Sequence, residues 1–96
     1  MKPSDALEAN RELIRRIVLA HRASNPRIFG SVVRGEDSDQ SDLDLLVDPA
    51  PDASLLDLAH IQVELETRLG VSVDVLTSAA LPPKFRSQVL HEAQAV

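Results

Sequence analysis

Apolar residues recur along this chain with two different periods. Leu7, Ile14, Ile17, Val18 and His21 fall on one line at helical spacing, with Asn10 on the same line, while Glu8, Arg11, Glu12, Arg15 and Arg16 fill the opposite side. That pattern predicts an amphipathic helix capped by Ser4, its charged side a wet surface. Asn25-Pro26 ends the region, because the residue before a proline avoids the α conformation. Residues 27–29 then read as a short strand. Residues 31–34 read as one helical turn that Gly35 can close in a left-handed conformation.

A polar loop over residues 36–41 leads into a second strand, residues 42–47, which Asp48-Pro49-Ala50-Pro51 breaks. Ser54 and Asp57 have the spacing of a capping box, with Asp in place of the usual Glu or Gln. The helix that follows puts Leu55, Leu58, Ile61, Leu65 and Leu69 on one line and Leu56, Ala59 and Val63 on a second, a candidate docking surface. Gly70 stops it, and residues 71–76 form a third strand. Pro82 and Pro83 open a last helix through Glu92, with Phe85 and Val89 facing inward. Strands alternating with helices predict a small α/β domain, and 96 residues suit one domain spanning 1–96.

Composition narrows the chemistry. The chain has no Cys, so disulfides, thiolate metal sites and Cys nucleophiles are excluded, and a reducing cytoplasm fits. The longest apolar runs are far too short to span a membrane, and the first residues lack the apolar stretch of a signal peptide. Residues 1–34 hold seven Lys/Arg against three Asp/Glu, whereas residues 35–96 hold three against twelve. That acidic stretch works against a duplex-binding surface, and two aromatics, Phe29 and Phe85, cannot build a stacking platform for single strands. Direct nucleic-acid binding is therefore disfavoured. His21, His60 and His91 lack metal-ligand spacing and receive no role.

The most informative stretch is residues 30–44. Gly30 lets the backbone approach a ligand, and Ser31 offers a hydroxyl and an N–H at the start of a turn, where anions are favoured. Arg34 lies one turn on and can point back toward a phosphate or pair with an aspartate. Asp42 and Asp44 share one face of the second strand, roughly 7 Å apart, while Leu43, Leu45 and Val47 fill the other. Carboxylates this close raise each other's pKa unless a cation neutralises them. Magnesium suits such a pair, since it takes one or two carboxylates plus substrate phosphates. Asp74 interrupts the apolar third strand, where a buried carboxylate would need a partner; if that strand lies beside the second, three carboxylates gather. Alone, an Asp-x-Asp is more often a solvated strand edge and a Gly-Ser an ordinary turn. Their order here points instead to nucleotide chemistry.

The pattern Gly30-Ser31-x-x-Arg34-Gly35-x6-Asp42-x-Asp44, with an aspartate on a later strand, resembles the nucleotidyltransferase superfamily typified by DNA polymerase β. More narrowly it resembles the minimal nucleotidyltransferases (MNT) that act as antitoxins of HEPN-domain toxins, over nearly the whole chain. Val33 departs from the pattern, since relatives often carry Ala, and it adds bulk beside the phosphate turn. The resemblance implies a mixed sheet backed by helices with the site on its open face. It implies that Asp42 and Asp44 hold two magnesium ions, that Asp74 binds metal or acts as the base, and that Gly30 and Ser31 hold the β- and γ-phosphates of ATP.

The expected function is AMP transfer from ATP to a hydroxyl, tyrosine foremost, of a partner HEPN toxin held in a hetero-oligomer. A binding module that masks its partner sterically is the first alternative. Transfer to a small molecule is the second, disfavoured because such relatives carry an extra acceptor-binding domain.

Overall fold

The computed structural model describes all 96 residues. Helices α1 (Pro3–Ala9) and α2 (Arg11–Ala20) are followed by strands β1 (Ala23–Phe29) and β2 (Leu43–Pro49). Helix α3 (Leu55–Leu69) leads to β3 (Val73–Leu76), a 3-10 turn at Ser78–Ala80, helix α4 (Pro83–Glu92) and a two-residue strand β4 (Gln94–Ala95). The sheet runs β3-β2-β1-β4, with β2 and β3 parallel and both other pairings antiparallel. Parallel neighbours need a crossover between them, and α3 supplies it. The α/β class with a mixed sheet is as expected.

Side-chain alternation along β2 divides the molecule. Leu43, Leu45 and Val47 point to one face, where they join Ile28, Val73 and Val75 beneath α1, α2 and α3. Ala6, Leu7, Ile14, Ile17, Val18, Ile61, Leu65 and Leu69 complete this main core. Asp44, Leu46 and Asp48 point the other way. The capping box of α3 is formed, Ser54 N–H donating to Asp57 Oδ2 at 2.9 Å, and Gly70 ends the helix at φ +72°.

Several local expectations need correction. The first helix breaks in two at Asn10, whose φ of −137° leaves the α region, and Lys2 rather than Ser4 precedes its first turn. There the Asp37 carboxylate accepts the Ser4 N–H at 2.9 Å, so a loop carboxylate substitutes for a local cap. Strand β1 starts four residues earlier than expected because it passes Asn25-Pro26 through a bulge, with Asn25 at φ +51°. Leu55 and Phe85 are exposed rather than facing inward. The charged side of α2 does more than meet water. Arg15 donates to the Val96 carbonyl at 2.7 Å and Arg11 to that of Ala95 at 3.4 Å, holding β4 against the sheet edge.

Candidate active site

Because β2 and β3 are parallel and in register, Asp44 pairs with Asp74, and their side chains emerge on the same face. Asp42 immediately precedes β2 and leads the alternation that Asp44 continues. Asp42 and Asp74 are exposed and Asp44 is half-buried. Asp74 therefore does not need the buried partner expected of it, because β3 is an edge strand and the face is open at that point.

Burial first, then the charges of Asp74 and Asp42, push the Asp44 carboxyl up to about 6, with Arg34 opposing them. Asp48, four residues on along the same face, is paired with Arg27 at 2.6 Å. The contrast is informative. One carboxylate of β2 is neutralised by the protein, while the other is surrounded by like charge.

The turn after β1 lies beside this cluster. Phe29 pairs with Asp44 across the antiparallel ladder, so the chain leaves β1 at Gly30 next to the carboxylate. Arg34 N–H donates to the Gly30 carbonyl at 3.3 Å and Glu36 N–H to that of Ser31 at 2.9 Å, closing the expected turn, which Gly35 exits at φ +71°. Gly30 itself adopts φ +77°, and a Cβ there would lie 3.3 Å from Asp44 Cγ and nearer still to Oδ2. The glycine is thus demanded by the Asp44 carboxylate and by backbone conformation, a reason the sequence pattern did not supply. Val33 does not crowd the turn's outer side: it packs inward against the main core and lines a cleft with Leu7 and Ile28.

All six expected residues, Gly30, Ser31, Arg34, Asp42, Asp44 and Asp74, are thereby brought to one end of the sheet. The implied open face is only partly open, since Leu81, Val89 and Ala93 cover Phe29 and Leu46 beyond Asp44. Three carboxylates, with the middle one raised by burial and by the other two, suit a divalent cation such as magnesium, although no three side chains are already closed around one position.

One residue of the site escaped the sequence reading. Glu92, in the last turn of α4, accepts from both the Gly30 N–H and Arg34 Nη1 at 3.1 Å. The only hint was its place, since a carboxylate at a helix C-terminus opposes the macrodipole.

Residues 24–96 match the family described as Polymerase beta, Nucleotidyltransferase. A candidate protein adenylyltransferase of Methanocaldococcus jannaschii is 43% identical over 77 residues, which cover 80% of this chain and 83% of that protein. The solved structure of a candidate minimal nucleotidyltransferase superposes with a TM-score of 0.82 at 42% identity, covering 97% of this chain and 93% of the other. A chain of the solved complex of tri-AMPylated Shewanella oneidensis HEPN toxin with MNT antitoxin shares the fold, with a TM-score of 0.68 at 17% identity over 92% of this chain and 69% of that one. The chain is a member of the polymerase β-type nucleotidyltransferase family.

Proposed function

We propose that this protein transfers AMP from ATP to a tyrosine hydroxyl of a HEPN-domain toxin, and so neutralises it as the antitoxin of a cytoplasmic pair. The observation that carries this reading is the Asp42–Asp44–Asp74 cluster set against the Gly30–Arg34 turn, with Asp44 raised by burial and by the other two carboxylates. The kinship to a candidate protein adenylyltransferase and the fold shared with an MNT antitoxin bound to an AMPylated toxin support the choice of acceptor.

In this reading all 96 residues make one domain. Asp42, Asp44 and Asp74 would hold two magnesium ions, and Gly30, Ser31 and Arg34 would hold the triphosphate. Bound magnesium would supply positive charge for the triphosphate and for the attacking and leaving oxygens. The chain's own residues do the rest. The Gly30 and Ser31 amides and the Ser31 hydroxyl donate to phosphate oxygens, and Arg34 adds a charged fork. The acceptor oxygen forms a bond to the α-phosphorus as the α–β bridging bond breaks and pyrophosphate leaves. The hydroxyl proton passes to Asp74 or to water, which an exposed carboxylate beside Asp44 is placed to allow.

Leu56 and Val63 remain 63% and 61% exposed on α3, and Leu55 84%. This apolar line favours one second reading, in which covering the partner is itself the neutralising act. One experiment separates the two. The chain and its toxin are co-expressed, the toxin is weighed by intact mass spectrometry, and Asp42→Asn/Asp44→Asn serves as control. A toxin heavier by AMP only with the wild type supports transfer. An unmodified toxin neutralised equally by both versions overturns it in favour of masking.

A further inference from the structure

The Gly30–Arg34 turn is arranged for an anion, and an anion of the chain already occupies it. One oxygen, Glu92 Oε1, accepts from the Gly30 N–H and from Arg34 Nη1, both at 3.1 Å. Arg34 leans secondarily on Glu36, at 3.5 Å, a longer and more exposed pairing. The Glu92 side chain is 21% exposed, although α4 contributes no fully buried residue. A carboxylate in the last turn faces the negative end of its own helix, so α4 itself does not favour a carboxylate at that place. Its position is fixed from the other side. Directly after Glu92 the chain enters β4, which pairs with Arg27 and Ile28, and the Val96 N–H donates to the Pro26 carbonyl at 3.0 Å. The backbone is thereby anchored beside β1, and the side chain has little choice but to reach the turn.

We propose that Glu92 is a specificity-determining residue of the phosphate grip: its carboxylate stands in for a phosphate group, must be displaced from Gly30 and Arg34 by an incoming polyphosphate, and so sets the threshold for nucleotide binding. This rests on the proposed function only in placing phosphates at that turn. The Gly30 N–H is a single donor already given to Glu92, so a phosphate oxygen that takes this amide must displace Glu92 from it, while Arg34, with five N–H donors, can turn toward the newcomer. The contact also keeps Arg34 beside the site and shields the Gly30 amide until the exchange. Weakly charged anions would lose this competition, and a triphosphate would win it.

The probe is tripolyphosphate, which carries the charge of the nucleotide without base or ribose. Calorimetry compares wild-type full chain with Glu92→Gln, which keeps an acceptor for the Gly30 N–H but removes the competing charge. The variant is expected to bind tripolyphosphate tighter by roughly two- to fivefold, the scale of a single partly exposed charge contact. Unchanged affinity, weaker binding, or no binding by either protein would overturn the proposal; weaker binding would show that Glu92 instead holds Arg34 in place for the ligand. Should Glu92→Gln not fold, the wild type decides by NMR, since the Gly30 amide and the Glu92 side-chain carboxyl carbon must shift together during the titration, and a Gly30 shift without a Glu92 shift overturns it. The same titrations with ATP and magnesium separate the two readings. A gain for tripolyphosphate with no binding of ATP would leave the displacement intact and remove the proposed function.

Discussion

The two faces of β2 are built from alternate residues of one short segment and obey opposite rules. On one side Leu43, Leu45 and Val47 are fully buried within a fifteen-residue cluster roofed by three helices. On the other, Leu46 lies between Asp44 and Asp48 and joins Phe29 and Leu81 in a cluster of only three buried residues, and α4 rests there without burying any of its own. The first face removes apolar surface from water and repels nothing. The second gathers the carboxylates of Asp42, Asp44 and Asp74, opposed at Asp44 only by Arg34, while Asp48 further along is paired with Arg27. A chain this small has little stability to spare, so this division puts the electrostatic cost where the fold does not depend on it.

The largest test is truncation on each face in turn. Leu45→Ala opens a cavity beneath three helices that cannot close on it, and should cost about 3–5 kcal/mol in denaturant unfolding. Leu46→Ala is equally buried, but its lid is α4, which can settle into the gap. It should cost closer to about 2 kcal/mol, at the low end of such substitutions. Equal losses would mean that the sheet has two cores of similar standing rather than one core and one site.

Next is Gly30→Ala, which acts where the two faces meet. A Cβ at φ +77° should cost about 1–2 kcal/mol in backbone strain, and it would also displace the Asp44 carboxylate that it would otherwise overlap. Transfer should therefore be lost by more than this modest destabilisation explains. A variant that melts early but keeps wild-type turnover at low temperature would show that the close approach to Asp44 is not needed for chemistry.

Asp44→Asn should move stability the other way. In the folded chain Asp44 titrates at about 6, above its ordinary 3.8, because burial and two neighbouring carboxylates penalise its ionised form. Folded protein thus binds the proton more tightly, and wild-type stability falls as pH rises from about 4 through 6. Above that window the asparagine variant should be the more stable by about 1–2 kcal/mol, after allowing for solvent screening of a partly exposed group. Below pH 4 the difference should vanish. Thermal melts at pH 4 and 7.5 check this, and a destabilised variant at pH 7.5 would mean that Asp44 has an attractive partner. Magnesium should raise the wild type more than the variant.

How much of this was legible beforehand depends on whether the cause is local. The α3 capping box, the Gly70 stop, the three-strand framework and the grouping of Gly30, Ser31, Arg34, Asp42 and Asp44 follow from neighbours in sequence or from strand alternation, whereas Asp74 joins them through the parallel pairing of β3 with β2, which the sequence left as a condition. The misplacements have distant causes. Asp37 caps α1 from a loop 33 positions away, Arg11 and Arg15 bind carbonyls at Ala95 and Val96, and Glu92 reaches Gly30 across 62 positions. Leu55 shows a different limit. Helical periodicity puts it on the core line, but it is the first residue of α3, and full burial on that line begins only at Ile61.

That exposed leucine gives the smallest effect and the sharpest question about the outer surface. Leu55 is 84% exposed and Leu56 63%, so replacing either by Ser removes almost no buried area and should change stability by less than about 0.5 kcal/mol. Ser54 still caps the helix, and the Asp57 carboxylate still accepts its N–H, so α3 should start at the same residue. Partner binding need not be so indifferent. If the second apolar line of α3 docks the toxin, Leu56→Ser should weaken the complex in a titration while AMP transfer to excess toxin stays near wild type, because the carboxylates and the phosphate turn are untouched. Loss of transfer with undiminished binding would instead place the acceptor tyrosine against α3. Full binding and full transfer would leave α3 a solvated helix and return the question of docking to the charged edges of the sheet.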